Sequence, residues 1–133
     1  MSQSVRYLLD TDMCIYLLNG NETVKNRVAK VGVQALAIST ITVAELFFGA
    51  HNSTKLESNV ERVRAFITPP APQILTLDNS SAEIFGRFKA ELRRLGRLVG
   101  DLDLLIAAIA SSYRLVLVTN NTAHFERIAN LPY

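Results

Sequence analysis

Short apolar runs closed by turn residues alternate with longer stretches of helical spacing along the whole chain. Tyr7-Leu8-Leu9, stopped by Asp10, predicts a short buried strand. Thr11 or Asp12 can then cap a helix through Leu17-Leu18 that Asn19-Gly20 ends. Asn21 to Lys30 is polar, with Val24, Val28 and Val31 at helical spacing, and Ala35-Leu36-Ala37-Ile38 predicts a second buried strand ending at Ser39-Thr40. Thr40 can cap the next helix, about Thr42 to Ala50, in which Val43, Ala44, Leu46, Phe47 and Phe48 leave Glu45 as the polar exception.

Leu56, Val60, Val63 and Ile67 form one stripe of an amphipathic helix over Lys55 to Ile67, and Pro69-Pro70-Ala71-Pro72 stops it as an extended connector. Ile74-Leu75-Thr76-Leu77 predicts a third strand. Ser80 or Ser81 can cap a long helix that buries Ile84, Phe88, Leu92 and Leu95, with Gly96 and Gly100 bracketing its end. Leu102 to Tyr113 reads as a strongly apolar helix headed by Asp101 and Asp103. Leu115-Val116-Leu117-Val118 then has the continuous character of a central parallel strand, with Thr119-Asn120-Asn121 as its exit. Strands that alternate with helices and are apolar on both sides imply an α/β fold whose sheet is covered on both faces.

Composition narrows the class. A chain of 133 residues with 49% apolar positions suits one domain with one buried core, so residues 1–133 are expected to be a single domain. The longest apolar run, Leu104 to Ala110, falls far short of the roughly 20 residues a spanning helix needs, so no membrane span is expected. The three apolar residues before Asp10 are too few for a secretory signal, and a cytoplasmic location is expected. Cys14, the only cysteine, excludes an intrachain disulfide and a cysteine-rich zinc site, leaving it the role of a small buried hydrophobe. A net charge of +2 is too weak to argue nucleic-acid binding by itself.

The acidic residues carry the chemistry. Ligands of open α/β sheets bind at the carboxyl ends of the strands. Asp10 ends the first strand, Glu45 lies on the helix entered from the second, and Asp103 starts the helix that feeds the fourth. Three carboxylates meeting in one crevice raise each other's pKa unless a cation intervenes. With oxygen ligands only, Mg²⁺ or Mn²⁺ is favoured over zinc. Each aspartate at a helix start, Asp12, Asp101 and Asp103 included, has a plainer reading as a cap, and Glu45 has one as the partner of a nearby arginine.

Leu8-Leu9-Asp10-Thr11-Asp12, Ile38 to Leu46, Gly100 to Ala108 and Leu117-Val118-Thr119-Asn120-Asn121 together resemble, in order and separation, the motifs of VapC-like PIN-domain ribonucleases. The likeness spans nearly the whole chain. It implies a three-layer α/β/α sandwich around a central, mostly parallel sheet of four to five strands. It also implies that Asp10, Glu45 and Asp103 are the catalytic, metal-binding acids, with Asn121 or Asp101 able to join through water. Asn121 stands where the family often has a fourth acid, which favours one tightly held ion over two. Thr11, Asp12 and Thr119 can hold the acids or their waters in place, with capping and turn formation as the alternative for the threonines. His51 and His124 match no required family position and read as surface residues. The family has a last short strand after Phe125 to Leu131, and that strand is expected to be absent or truncated here.

The resemblance implies hydrolysis of RNA by a metal-activated water, with 5′-phosphate and 3′-hydroxyl products. It also implies a toxin restrained by a cognate antitoxin, and a homodimer. Arg87, Lys89, Arg93, Arg94 and Arg97 on or just after the long helix are candidate RNA contacts, or simply its solvated face. Arg93 and Arg94 are also candidates for antitoxin or dimer contacts. A receiver-type signalling domain shares the architecture but needs a lysine after the last strand, where Asn120-Asn121 stands. A catalytically silent PIN-fold interaction module is the other alternative, against which retention of all three acids counts.

Overall fold

The computed structural model describes residues 4–120. Its elements run β1 (Tyr7–Leu9), α1 (Thr11–Leu18), α2 (Glu22–Val31), a 3₁₀ turn (Val33–Ala35), β2 (Leu36–Ser39), α3 (Thr40–His51), α4 (Leu56–Ile67), β3 (Gln73–Leu75), α5 (Asn79–Arg94), α6 (Asp101–Ser112) and β4 (Val116–Val118). The four strands lie in the order β3-β2-β1-β4, all parallel, as Leu8 beside Ala37 and Leu117 and Ile38 beside Ile74 show.

Alternation along the short strands feeds two cores. Leu8, Ala37 and Leu117 face α5 and α6, where they pack with Phe88, Leu92, Leu104, Ile106 and Ile109. Leu9, Leu36 and Ile38 face the other way, against Cys14 of α1, Leu46 and Ala50 of α3 and Val60 and Val63 of α4. The result is the expected three-layer sandwich with a parallel sheet between helices. No helix among the described residues is long and apolar enough to cross a membrane.

Several local expectations are corrected. The caps sit one to three residues earlier than expected. Asp10, Ser39 and Asp78 accept from the N–H groups of Met13, Thr42 and Ser81, so the residue at the strand–helix junction, and not the hydroxyl after it, caps α1 and α3, and Asp78, three residues past β3, caps α5. A strand that passes directly into a helix leaves only its last residue in extended geometry, which is what a cap requires. Among the described residues β4 is an outer strand, and its Val116 and Val118 are only half-buried. Leu95, expected inside, is 58% exposed, because α5 ends at Arg94 and the chain turns away at Gly96 with φ +67°, a geometry that favours glycine. Leu56 likewise lies on the surface.

Candidate metal centre

Parallel strands place all their carboxyl ends on one edge of the sheet, and α1, α3 and α6 begin there. Asp10 leaves β1 and caps α1, its Oδ1 accepting from Met13 N–H at 2.9 Å, while its own N–H donates to the Val118 carbonyl of β4 at 3.1 Å. The side chain is thus fixed between two strands at a helix N-terminus, where partial positive charge favours an anion. Only 4% of Asp10 is exposed. Burial pushes its carboxyl above the usual aspartate range, and the nearby charges of Asp12 and Asp103 push it the same way. The Thr119 hydroxyl and the Met13 N–H donate to it and pull it back. Asp103, half-buried in the first turn of α6, is therefore brought to Asp10 by the fold, although 93 residues separate them.

Glu45 reaches the same edge by another route. It stands on the second turn of α3, half-buried, and its Oε1 accepts from the Thr11 hydroxyl at 2.6 Å. Among the described residues it forms no ion pair with an arginine, so its partner is the residue that directly follows Asp10. Asp12 is exposed and acts on Asp10 through charge. Asp101 turns toward α5, where Lys89 Nζ lies 3.0 Å from its Oδ1. Asn120 donates to the Tyr16 hydroxyl at 3.3 Å, while Asn121, His124 and the segment after Phe125 lie outside the described residues. His51 is exposed at the end of α3.

Among the described residues no three His, Cys, Asp or Glu side chains close into a group able to hold an ion unaided. A hard cation that keeps several waters does not need one, since Mg²⁺ is commonly bound through one or two carboxylates. The donor chemistry fits such an ion: Asp12, Asp103 and Thr119, the side chains that act on Asp10, all offer oxygen, and a buried carboxylate with like charges against it is the arrangement a cation relieves.

Two residues of this edge escape a search for acids. Asp10, Ser39, Thr42 and Ser81 are the buried polar residues of the described chain, and all but Ser81 stand at this edge. Ser39, Thr42 and Glu45 recur at intervals of three in an apolar stretch, and that polar periodicity along one helix face is the signal that would have found them.

Comparison with known proteins identifies the family and the fold. The family model for the PIN domain matches residues 7–131. The chain is 36% identical to the tRNA(fMet)-specific endonuclease VapC of Shigella flexneri, across 96% of this chain and 95% of that protein. Among solved structures it superposes on DNA-bound VapBC from Salmonella typhimurium with a TM-score of 0.89 at 36% identity. It superposes on VapBC2 from Rickettsia felis, bound to a promoter DNA fragment, with a TM-score of 0.88 at 32% identity; each alignment covers 96% of both chains.

Proposed function

The chain belongs to the PIN-domain family, among its VapC ribonucleases, and from that membership we propose a metal-dependent endoribonuclease, the toxin of a toxin–antitoxin pair. The observation that carries the site assignment is Asp10: a buried carboxylate at a strand end and helix start, with Asp12 and Asp103 charged against it.

In this reading Asp10 and Asp103 hold Mg²⁺ or Mn²⁺, and Glu45 serves the same ion directly or through water. The ion, when bound, supplies a water of lowered pKa and offsets charge on the phosphoryl oxygens. The chain's own residues do the rest. Thr119 and Met13 N–H orient the Asp10 carboxylate, and Thr11 orients that of Glu45. The half-buried position of Asp103 and Glu45 leaves each open to solvent on one side, where a phosphodiester can approach. Asn121 or Asp101 can add a water-mediated contact, with Asp12 acting through its charge.

RNA is the substrate proposed, with Arg87, Arg93, Arg94 and Arg97 as backbone contacts. The cavity between α1, α3 and α4, lined by Ile15, Leu18, Leu46 and Val63 beside Glu45, supports an antitoxin segment that covers the crevice. Exposed Leu95, Leu98 and Leu102 at the α5–α6 turn support a homodimer. Residues 1–133 act as one domain in this reading, in the cytoplasm where RNA and antitoxin are found.

The test is cleavage of a structured RNA by purified protein across a Mg²⁺ or Mn²⁺ titration, for the wild type and Asp10→Asn. Metal-dependent cutting that vanishes in the variant is the expected result. Undiminished cutting by Asp10→Asn would reject the site, and a wild type that binds no metal and cuts nothing would make the domain a silent module.

A further inference from the structure

Ser39, Thr42, Thr11 and Glu45 form a line of hydrogen-bonded side chains from the end of β2, through the first turn of α3, across to α1 and back to α3. Its last member settles the direction of every bond. A carboxylate oxygen only accepts, so the single hydroxyl hydrogen of Thr11 goes to Glu45 Oε1 at 2.6 Å. Thr11 then has only lone pairs left for Thr42, 3.1 Å away, and the Thr42 hydroxyl must donate to it. With its hydrogen used, Thr42 accepts from the Ser39 hydroxyl at 3.5 Å, and Ser39 in turn accepts from the Thr42 N–H at 3.1 Å.

Ser39 and Thr42 are both 0% exposed, so bulk water cannot replace either partner, and no buried side-chain nitrogen or oxygen among the described residues lacks one. The carboxylate at the end of the line has somewhere else to go. Glu45 also borders a cavity of about 230 Å³, on whose wall stands Arg62, an opposite charge. Arg62 is anchored elsewhere, donating to Asn59 Oδ1 and to the Leu18 carbonyl. Glu45 thus stands between the crevice and a cavity whose wall carries an opposite charge, and its hydrogen bond from Thr11 ties it to the crevice side.

We propose that Thr42 is a positioning residue: its buried hydroxyl donates to Thr11, commits the Thr11 hydrogen to Glu45, and so keeps that carboxylate at the metal crevice instead of the neighbouring cavity. The proposal rests on the assignment of Glu45 to the metal centre made above. Thr42 touches neither the ion nor RNA, and its whole effect passes through Thr11. Thr42→Val keeps the shape and removes the donor, whereas Thr42→Ser keeps the donor.

The experiment is calorimetric titration of Mn²⁺ into the full chain without RNA, for the wild type, Glu45→Gln, Thr42→Val and Thr42→Ser. Loss of such an outer partner typically weakens metal binding about 10-fold or more, which is the expectation for Thr42→Val, while Thr42→Ser should bind as the wild type does. In cleavage assays Thr42→Val should lower kcat and leave KM for RNA unchanged, since no RNA contact is removed. Wild-type Mn²⁺ affinity in Thr42→Val, alongside weakened binding in Glu45→Gln, overturns the role of Thr42 and leaves Glu45 in place. Unchanged affinity in Glu45→Gln overturns both. Should Thr42→Val fail to fold, the wild-type protein decides by NMR. The Thr42 hydroxyl proton is expected to exchange slowly and to shift when Mg²⁺ is added, and rapid exchange or no response to Mg²⁺ overturns the proposal.

Discussion

The strand-end crevice and the outer face of α5 both gather charged side chains, under opposite physical conditions. At the crevice Asp10 is nearly buried, its neighbours carry the same sign, and each hydrogen-bond partner is set by the backbone of a strand end or a helix start. On α5 and just beyond it, Arg87, Arg93, Arg94 and Arg97 are exposed, and Lys89 pairs with Asp101 at half-exposed positions. Like charge held out of water costs free energy that a bound cation must offset, whereas arginine in water costs almost nothing and binds only what approaches. Charge alone is therefore a poor guide to function; burial and fixed partners are what set the crevice apart from the α5 face.

Substitutions in the two regions should therefore differ in kind as well as in size. Asp10→Asn should have the largest effect, a loss of RNA cleavage beyond the roughly 10–100-fold that follows removal of an outer partner of a metal ligand. Its melting temperature without metal should stay close to that of the wild type, because asparagine can still accept from the Met13 N–H and cap α1. A large drop in melting temperature would show that Asp10 serves the fold and would erase the contrast.

Metal should stabilise the wild type through the crevice. At 100 times its Kd, an ion that binds only the folded state adds about 2.7 kcal/mol, read as a rise in melting temperature, and chelation with EDTA should reverse it. The same addition should leave Asp10→Asn unmoved; an equal rise in both proteins would place the ion elsewhere.

The α5 face should respond more gently. Arg93→Ala with Arg94→Ala should weaken RNA binding at low salt and flatten its salt dependence by roughly 0.7 per lost phosphate contact, with kcat unchanged. An unaltered salt slope would make this face a solvated surface and nothing more.

The smallest effect should come from Asp78, which caps α5 beside Tyr113 at the C-terminal end of α6, away from the crevice. Hydrogen bonds from the Ser81 N–H and hydroxyl hold its carboxyl below its ordinary 3.8. A depressed pKa contributes stability above the unfolded value and loses it as pH falls through the folded one. Asp78→Ala should therefore melt lower than the wild type at neutral pH, with the gap narrowing once the pH drops below 3.8. A gap that is constant with pH would show that the charge plays no part in the cap.

The amino-acid pattern by itself determined a good deal. Apolar triplets such as Tyr7-Leu8-Leu9 and the stripe of Val60 and Val63 dictated which segments become strands and which become helices, because burial on two faces or one leaves a periodicity that needs no partner to be read. Glu45 stood out as an acid in apolar company, Asp10 and Asp103 stood at a strand end and a helix start, and their motifs announced the family. Tertiary structure alone decided the rest. Whether Asp10 feels Asp103, whether Glu45 pairs with an arginine or with Thr11, and whether Asp101 looks toward the crevice or toward Lys89 depend on which elements the sheet order sets side by side. Those contacts join residues 12 or more positions apart, and local patterning holds no information about distances across the fold. The hydroxyl line through Thr42 is the clearest case, since its direction follows only when four side chains from three elements are brought within hydrogen-bond reach.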